Sequence, residues 1–211
     1  PWIVVAHTTA NVLGARWPGR LWEVDILEAA ADQPREGAAY TRAVAVRIGG
    51  EVPVSVLFGP HGNDVLRVVE AASSLGTSEA MELARRWSPE AQAVYSRAWN
   101  TWLTRVEPGS THRGADHGST LAVFAGGTRS PIGIGFTLLY DVFWRRAREL
   151  AGDEAFETDD EGEVCFTEPW GKAADVLLHA AMAVGAPELL SSEDRAALIR
   201  AWKPDEIQST A

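Results

Sequence analysis

Tyr40-Thr41-Arg42-Ala43-Val44-Ala45-Val46-Arg47-Ile48-Gly49-Gly50-Glu51-Val52-Pro53-Val54-Ser55-Val56-Leu57-Phe58-Gly59-Pro60-His61-Gly62 is the stretch on which the fold class turns. As far as Phe58 its β-branched residues follow a two-residue period, with Val44, Val46 and Ile48 on one face, as a strand requires. Gly49-Gly50 divides two such runs and predicts a hairpin, because tight hairpin turns need positive φ. Pro53 has no N–H to give to a ladder, so the second run is expected at a sheet edge. After Gly59-Pro60 the period changes to that of a helix. Val65, Leu66, Val68, Val69 and Ala72 form one apolar stripe, with Asn63 or Asp64 as the N-cap candidate.

Before this stretch, Trp2-Ile3-Val4-Val5-Ala6 predicts a buried strand. Leu21–Glu28 predicts another, with Trp22, Val24 and Ile26 facing inward. After it, Thr77 or Ser78 is expected to cap a short helix through Trp87, and Ser88-Pro89-Glu90 to begin a third. The third has a stripe of Ala91, Val94, Tyr95, Ala98, Trp99, Trp102 and Val106. Ser130-Pro131 opens the longest helix, which runs to about Gly152 with Phe136, Leu139, Tyr140, Phe143, Ala147 and Leu150 on one face. Helices from about Glu168 to Val184, capped by Thr167, and from Ser191 to about Trp202 complete the chain. Strands early and helices late predict an α+β fold: a mostly antiparallel sheet of about four strands against five to six helices. The expected organisation is a single domain over 1–211, β-rich over 1–58 and helix-rich over 59–204.

Composition narrows the function classes. The chain has 211 residues, 46% apolar and 23% charged, which is the profile of a folded globular protein. Nineteen basic residues against 29 acidic ones leave a net charge of -10, which repels phosphate backbones and anionic lipid. Neither nucleic acid nor membrane is therefore expected as a partner. The lone Cys165 cannot form an intramolecular disulfide, and no stretch approaches a membrane span, so a cytoplasmic location is expected. Nine tryptophans are spread along the chain; core packing is their ordinary role, and an exposed stacking platform the sharper alternative.

Candidate chemistry concentrates in Pro108-Gly109-Ser110-Thr111-His112-Arg113-Gly114-Ala115-Asp116-His117, a polar loop with two of the five histidines. His112, Asp116 and His117 are donor types that suit a divalent transition metal, and with Arg113 they could also support acid–base work. The spacing matches no metal signature, and His and Asp also populate loops for local hydrogen bonding. His61 lies where a strand gives way to a helix N-terminus, a place that can hold an anion, but an ordinary turn is the favoured reading because glycines are needed to turn the chain in any case. Glu157, Asp159, Glu161 and Glu168 partly resemble a calcium loop around Gly162. A hairpin fits better, with Phe156 before the acidic turn and Val164 and Phe166 after it.

No cofactor fingerprint, no nucleophile–base pair and no paired carboxylates on one helix face are visible. Cys165 sits in an apolar β-like segment, where a thiol is expected to be inert. The expected function is that of a non-catalytic binding or regulatory protein with an unidentified protein partner or small ligand, with a homodimer among the assemblies it admits. The alternative is a small metal-dependent or acid–base enzyme using the His112–Asp116–His117 loop. The two differ in one observable: an enzyme needs a pocket where these groups meet His61 or another titratable side chain, whereas a binding protein needs an exposed apolar or Trp-bearing patch.

Overall fold

The computed structural model describes residues 1–9, 12, 17–38, 40–106 and 131–202, the side chains of 103–106 and 131–137 excepted. The fold is α+β. Strands β1 (Ile3–Ala6), β2 (Leu21–Ala29) and β3 (Tyr40–Val52) form an antiparallel sheet in the order β1-β3-β2. Among the described residues six helices follow: α1 (Gly62–Ser74), α2 (Thr77–Arg86), α3 (Pro89–Val106), α4 (Pro131–Ala151), α5 (Glu168–Gly185) and α6 (Ser192–Ile199). Between α4 and α5 lies a small hairpin of β4 (Phe156–Thr158) and β5 (Val164–Phe166). The acidic segment is thus the expected hairpin, and the Asp159 carboxylate accepts from the N–H groups of Glu161 and Glu163 within the turn.

The Gly49-Gly50 hairpin does not form. β3 runs straight through both glycines because β2 pairs with both of its halves, Val24 opposite Ile48 and Leu21 opposite Val52. Neither glycine has the positive φ that a tight hairpin turn needs, whereas Gly37, Gly59, Gly152 and Gly162 do. The extra residue is taken up as a register shift, and a Cβ on Gly49 would lie 3.1 Å from the Glu23 carbonyl oxygen. The run after Pro53 is a 3₁₀ turn over Val54–Phe58, not an edge strand, and the Val56 N–H bonds the Pro53 carbonyl. Among the described residues three N-terminal strands therefore stand where about four were expected.

α5 organises the helical half. It is apolar nearly all round, and Ala173, Val176, Leu177, Ala180, Met182 and Ala183 are each fully buried. Its small residues allow close approach: a Cβ on Gly185 would come within 2.6 Å of Val65 of α1. The expected stripes hold: Ala91, Val94, Tyr95, Ala98, Trp99 and Trp102 of α3 are buried, as are Leu139, Phe143 and Ala147 of α4. Phe156 and Phe166 stack at 5.4 Å and meet Trp144 at 4.3 and 4.8 Å, which fastens the hairpin to α4.

Helix ends follow local chemistry. Ser88 and Ser191 accept from the backbone N–H groups of Ala91 and Asp194, as N-caps do. Thr167 occupies the N-cap of α5, although its hydroxyl bonds the Ala155 carbonyl instead. For α1 the N-cap is His61, two residues before the first expected position. For α2 it is Gly76, whose N–H donates to Glu79 at 2.7 Å. α1 can begin this early because Gly62 lies directly on the 3₁₀ turn, where a Cβ would sit 1.8 Å from the Ser55 carbonyl oxygen.

Candidate interaction surface

The three-stranded sheet joins the helical core at one end, through Trp17, Leu21 and Val54. Elsewhere most of its large apolar side chains are exposed, although Ala43 at its centre is buried. Register and alternation put Trp2 and Val4 of the β1 strip, Trp22, Val24 and Ile26 of β2, and Val44, Val46 and Ile48 of β3 on one face. Trp2 is 49% exposed, Val4 47%, Trp22 38%, Ile26 38%, Val44 50% and Ile48 64%. The sequence pattern is as expected, but the burial is not: β1 and the Trp22–Val24–Ile26 face were expected inside, and they face out. Among the described residues, the apolar stripes of the helices meet one another around α5 and not on this face.

Trp2 and Trp22 are the only exposed tryptophans among the described residues; the other seven are buried or partly buried. Each is held by an arginine. The Arg42 guanidinium lies 4.7 Å from the Trp2 ring centre and is bound to Asp32 at 2.6 Å. Arg20 lies 4.6 Å from the Trp22 ring, and its Nε donates to Glu51 at 2.8 Å. That hydrogen bond holds the Glu51 carboxyl below its usual range. The face is therefore an apolar strip about the length of β3, closed at its two ends by neutral Arg–acid pairs.

Two of the more buried polar pairs of the helical half are centred on α5. Asp175 accepts from the Trp87 indole N–H at 3.0 Å, and burial raises its pKa to about 6. One turn on, His179 is 1% exposed, contacts the Gln92 side-chain oxygen at 2.9 Å and packs 5.0 Å from the Tyr95 ring centre. Burial lowers its pKa to about 3, so the ring is neutral. Sequence reasoning passed over both, although an Asp and a His four residues apart in the apolar middle of a helix are a usable signal. His179 is a satisfied core group, and Asp175 a partly buried one with its carboxylate satisfied by Trp87.

A cavity of about 460 Å³ lies between α1 and α2, lined by Leu75, Glu79, Glu82, Arg85, Arg86 and Trp202 among others. Its arginines already pair with Glu82. His61 is half-buried, and its carbonyl accepts from Asp64 and Val65. His112, Arg113, Asp116 and His117 lie outside the described residues. Among the described residues no group of three or more His, Cys, Asp or Glu is placed to hold a metal, and no helix is long and apolar enough to cross a membrane. Cys165 is half-buried on β5, where burial, and then the Glu157 and Asp159 carboxylates, push its pKa up and disfavour the thiolate. In comparisons with known proteins the chain matches no family model, no curated protein and no solved structure.

Proposed function

We propose that this chain is a non-catalytic binding protein that engages its partner through the open apolar face of the three-stranded sheet. One observation carries the reading: Trp2, Val4, Trp22, Ile26, Val44 and Ile48 share a single face, and each is between 38% and 64% exposed. Scattered surface hydrophobics need no explanation, but a contiguous patch does. Taking these exposures against the ~150–250 Å² of a large ring gives roughly 550 Å² of apolar surface. That is near the top of the range for the largest patch on a monomer, where patches are commonly functional. Trp2 and Trp22, one toward each end of the strip and each with an arginine stacked on it, are also residue types enriched at interfaces.

Hydroxyl-radical footprinting of dilute protein tests the reading. Normalised to the intrinsic reactivity of each side chain, modification of Trp2, Trp22 and Ile48 is expected to be comparable with that of exposed Val164 and far above that of buried Trp99. On binding they should become protected while Val164 does not. Protection equal to that of Trp99 in the dilute protein would overturn the proposal.

A further inference from the structure

Resting on that reading, we infer that the occupant of the sheet face is a second copy of this chain, docked face to face through a two-fold axis into a six-stranded sandwich. Area is the first ground. Two faces of roughly 550 Å² each bury about 1,100 Å² in total, which clears the ~1,000 Å² that a specific interface needs. Sheets packed this way lie about 10 Å apart with interdigitated side chains, and the branched Val44, Val46 and Ile48 suit that geometry.

Charge is the second ground. A chain of net charge -10 should repel its own copy. The face escapes this repulsion because the charged groups that close it come as neutral pairs, Arg20 with Glu51 and Arg42 with Asp32. A partner chosen for opposite charge would call for unpaired acids on the face, and Glu23 and Asp25 alternate to the other side of β2. Asp25 is matched there by Arg47 at 3.6 Å. Pairing edge to edge is the competing geometry, and β2 is poorly built for it: it carries Glu23, Asp25 and Glu28, and its ladder shifts register three times.

Sedimentation velocity from about 1 to 200 µM tests this on four proteins: wild type, Val44→Glu, Ile48→Glu and Val164→Glu. Wild type is expected to move from 22.8 kDa to twice that mass as concentration rises. Each face substitution enters a two-fold interface twice, so the dimer Kd should rise at least ~100-fold. Val164→Glu, on an exposed apolar residue of the β4–β5 hairpin, should dimerise like wild type. Should either face variant lose its circular dichroism signal, Val44→Thr and Ile48→Thr, which keep the β-branched shape, take its place. A wild type that stays monomeric to 200 µM overturns the dimer, as does a dimer that survives the face substitutions. Neither result touches the footprinting outcome in dilute protein, so the dimer can fail while the binding face stands.

Discussion

Replacing Asp175 by Asn is expected to stabilise the protein in a pH-dependent way. Burial raises the Asp175 pKa from 3.8 to about 6, against the Trp87 hydrogen bond, which acts in the opposite direction. A raised pKa means that the folded state holds the proton more tightly than the unfolded chain does. The contribution of this carboxyl is therefore fully present below pH ~3.8 and is lost as pH rises through about 6. Over the whole window a shift of this size is worth about 3 kcal/mol. Asn keeps an oxygen to accept the Trp87 N–H and never ionises. The unfolding free energy of Asp175→Asn minus that of wild type, measured by urea denaturation at fixed ionic strength, should grow by about 2 kcal/mol between pH 4.5 and pH 8. The change with pH is the readout, because a constant offset from the new amide cancels. A difference that stays flat across this range would refute the burial of Asp175 as the cause.

His179 should act with the opposite sign. Its pKa is lowered to about 3 by burial, so its contribution is present above pH ~6.5 and lost as pH falls toward 3; His179→Leu should lessen the acid lability of the fold over that window in denaturation series. Gly62→Ala forces a Cβ onto the Ser55 carbonyl and should cost ~2 kcal/mol or more in thermal melts, whereas Gly50→Ala, with open space around it, should change stability by less than ~0.5 kcal/mol. Ser191→Ala removes the α6 cap and should cost about 1 kcal/mol by the same measurement.

The helical half was legible in the sequence because each helix carries a wide apolar stripe and a punctuating Ser, Gly or Pro, and those signals are local. Ser130-Pro131, Ser88-Pro89 and Ser191 marked helix starts that the structure keeps. The acidic turn was legible for the same reason, since Phe156, Val164 and Phe166 alternate around Gly162. What misled was information held by partners. Gly49-Gly50 looks like a hairpin until β2 is seen to pair on both sides of it, and Pro53 ends that ladder by lacking an N–H. The alternation of Trp22, Val24 and Ile26 says that they share a face. Whether that face is covered depends on what else must be buried, and α5 draws the helical stripes onto itself. Asp175 and His179 are hard to see in the sequence because the apolar residues around them dominate the periodicity of α5.

The exposure of the sheet face is most directly tested by the unfolding free energy of Ile48→Glu at about 1 µM, compared with wild type at the same concentration. An Ile48 that is 64% exposed should accept the charge at a cost within ~1 kcal/mol. A loss of ~3 kcal/mol or more, of the size expected for an unpaired charge forced into a core, would contradict it.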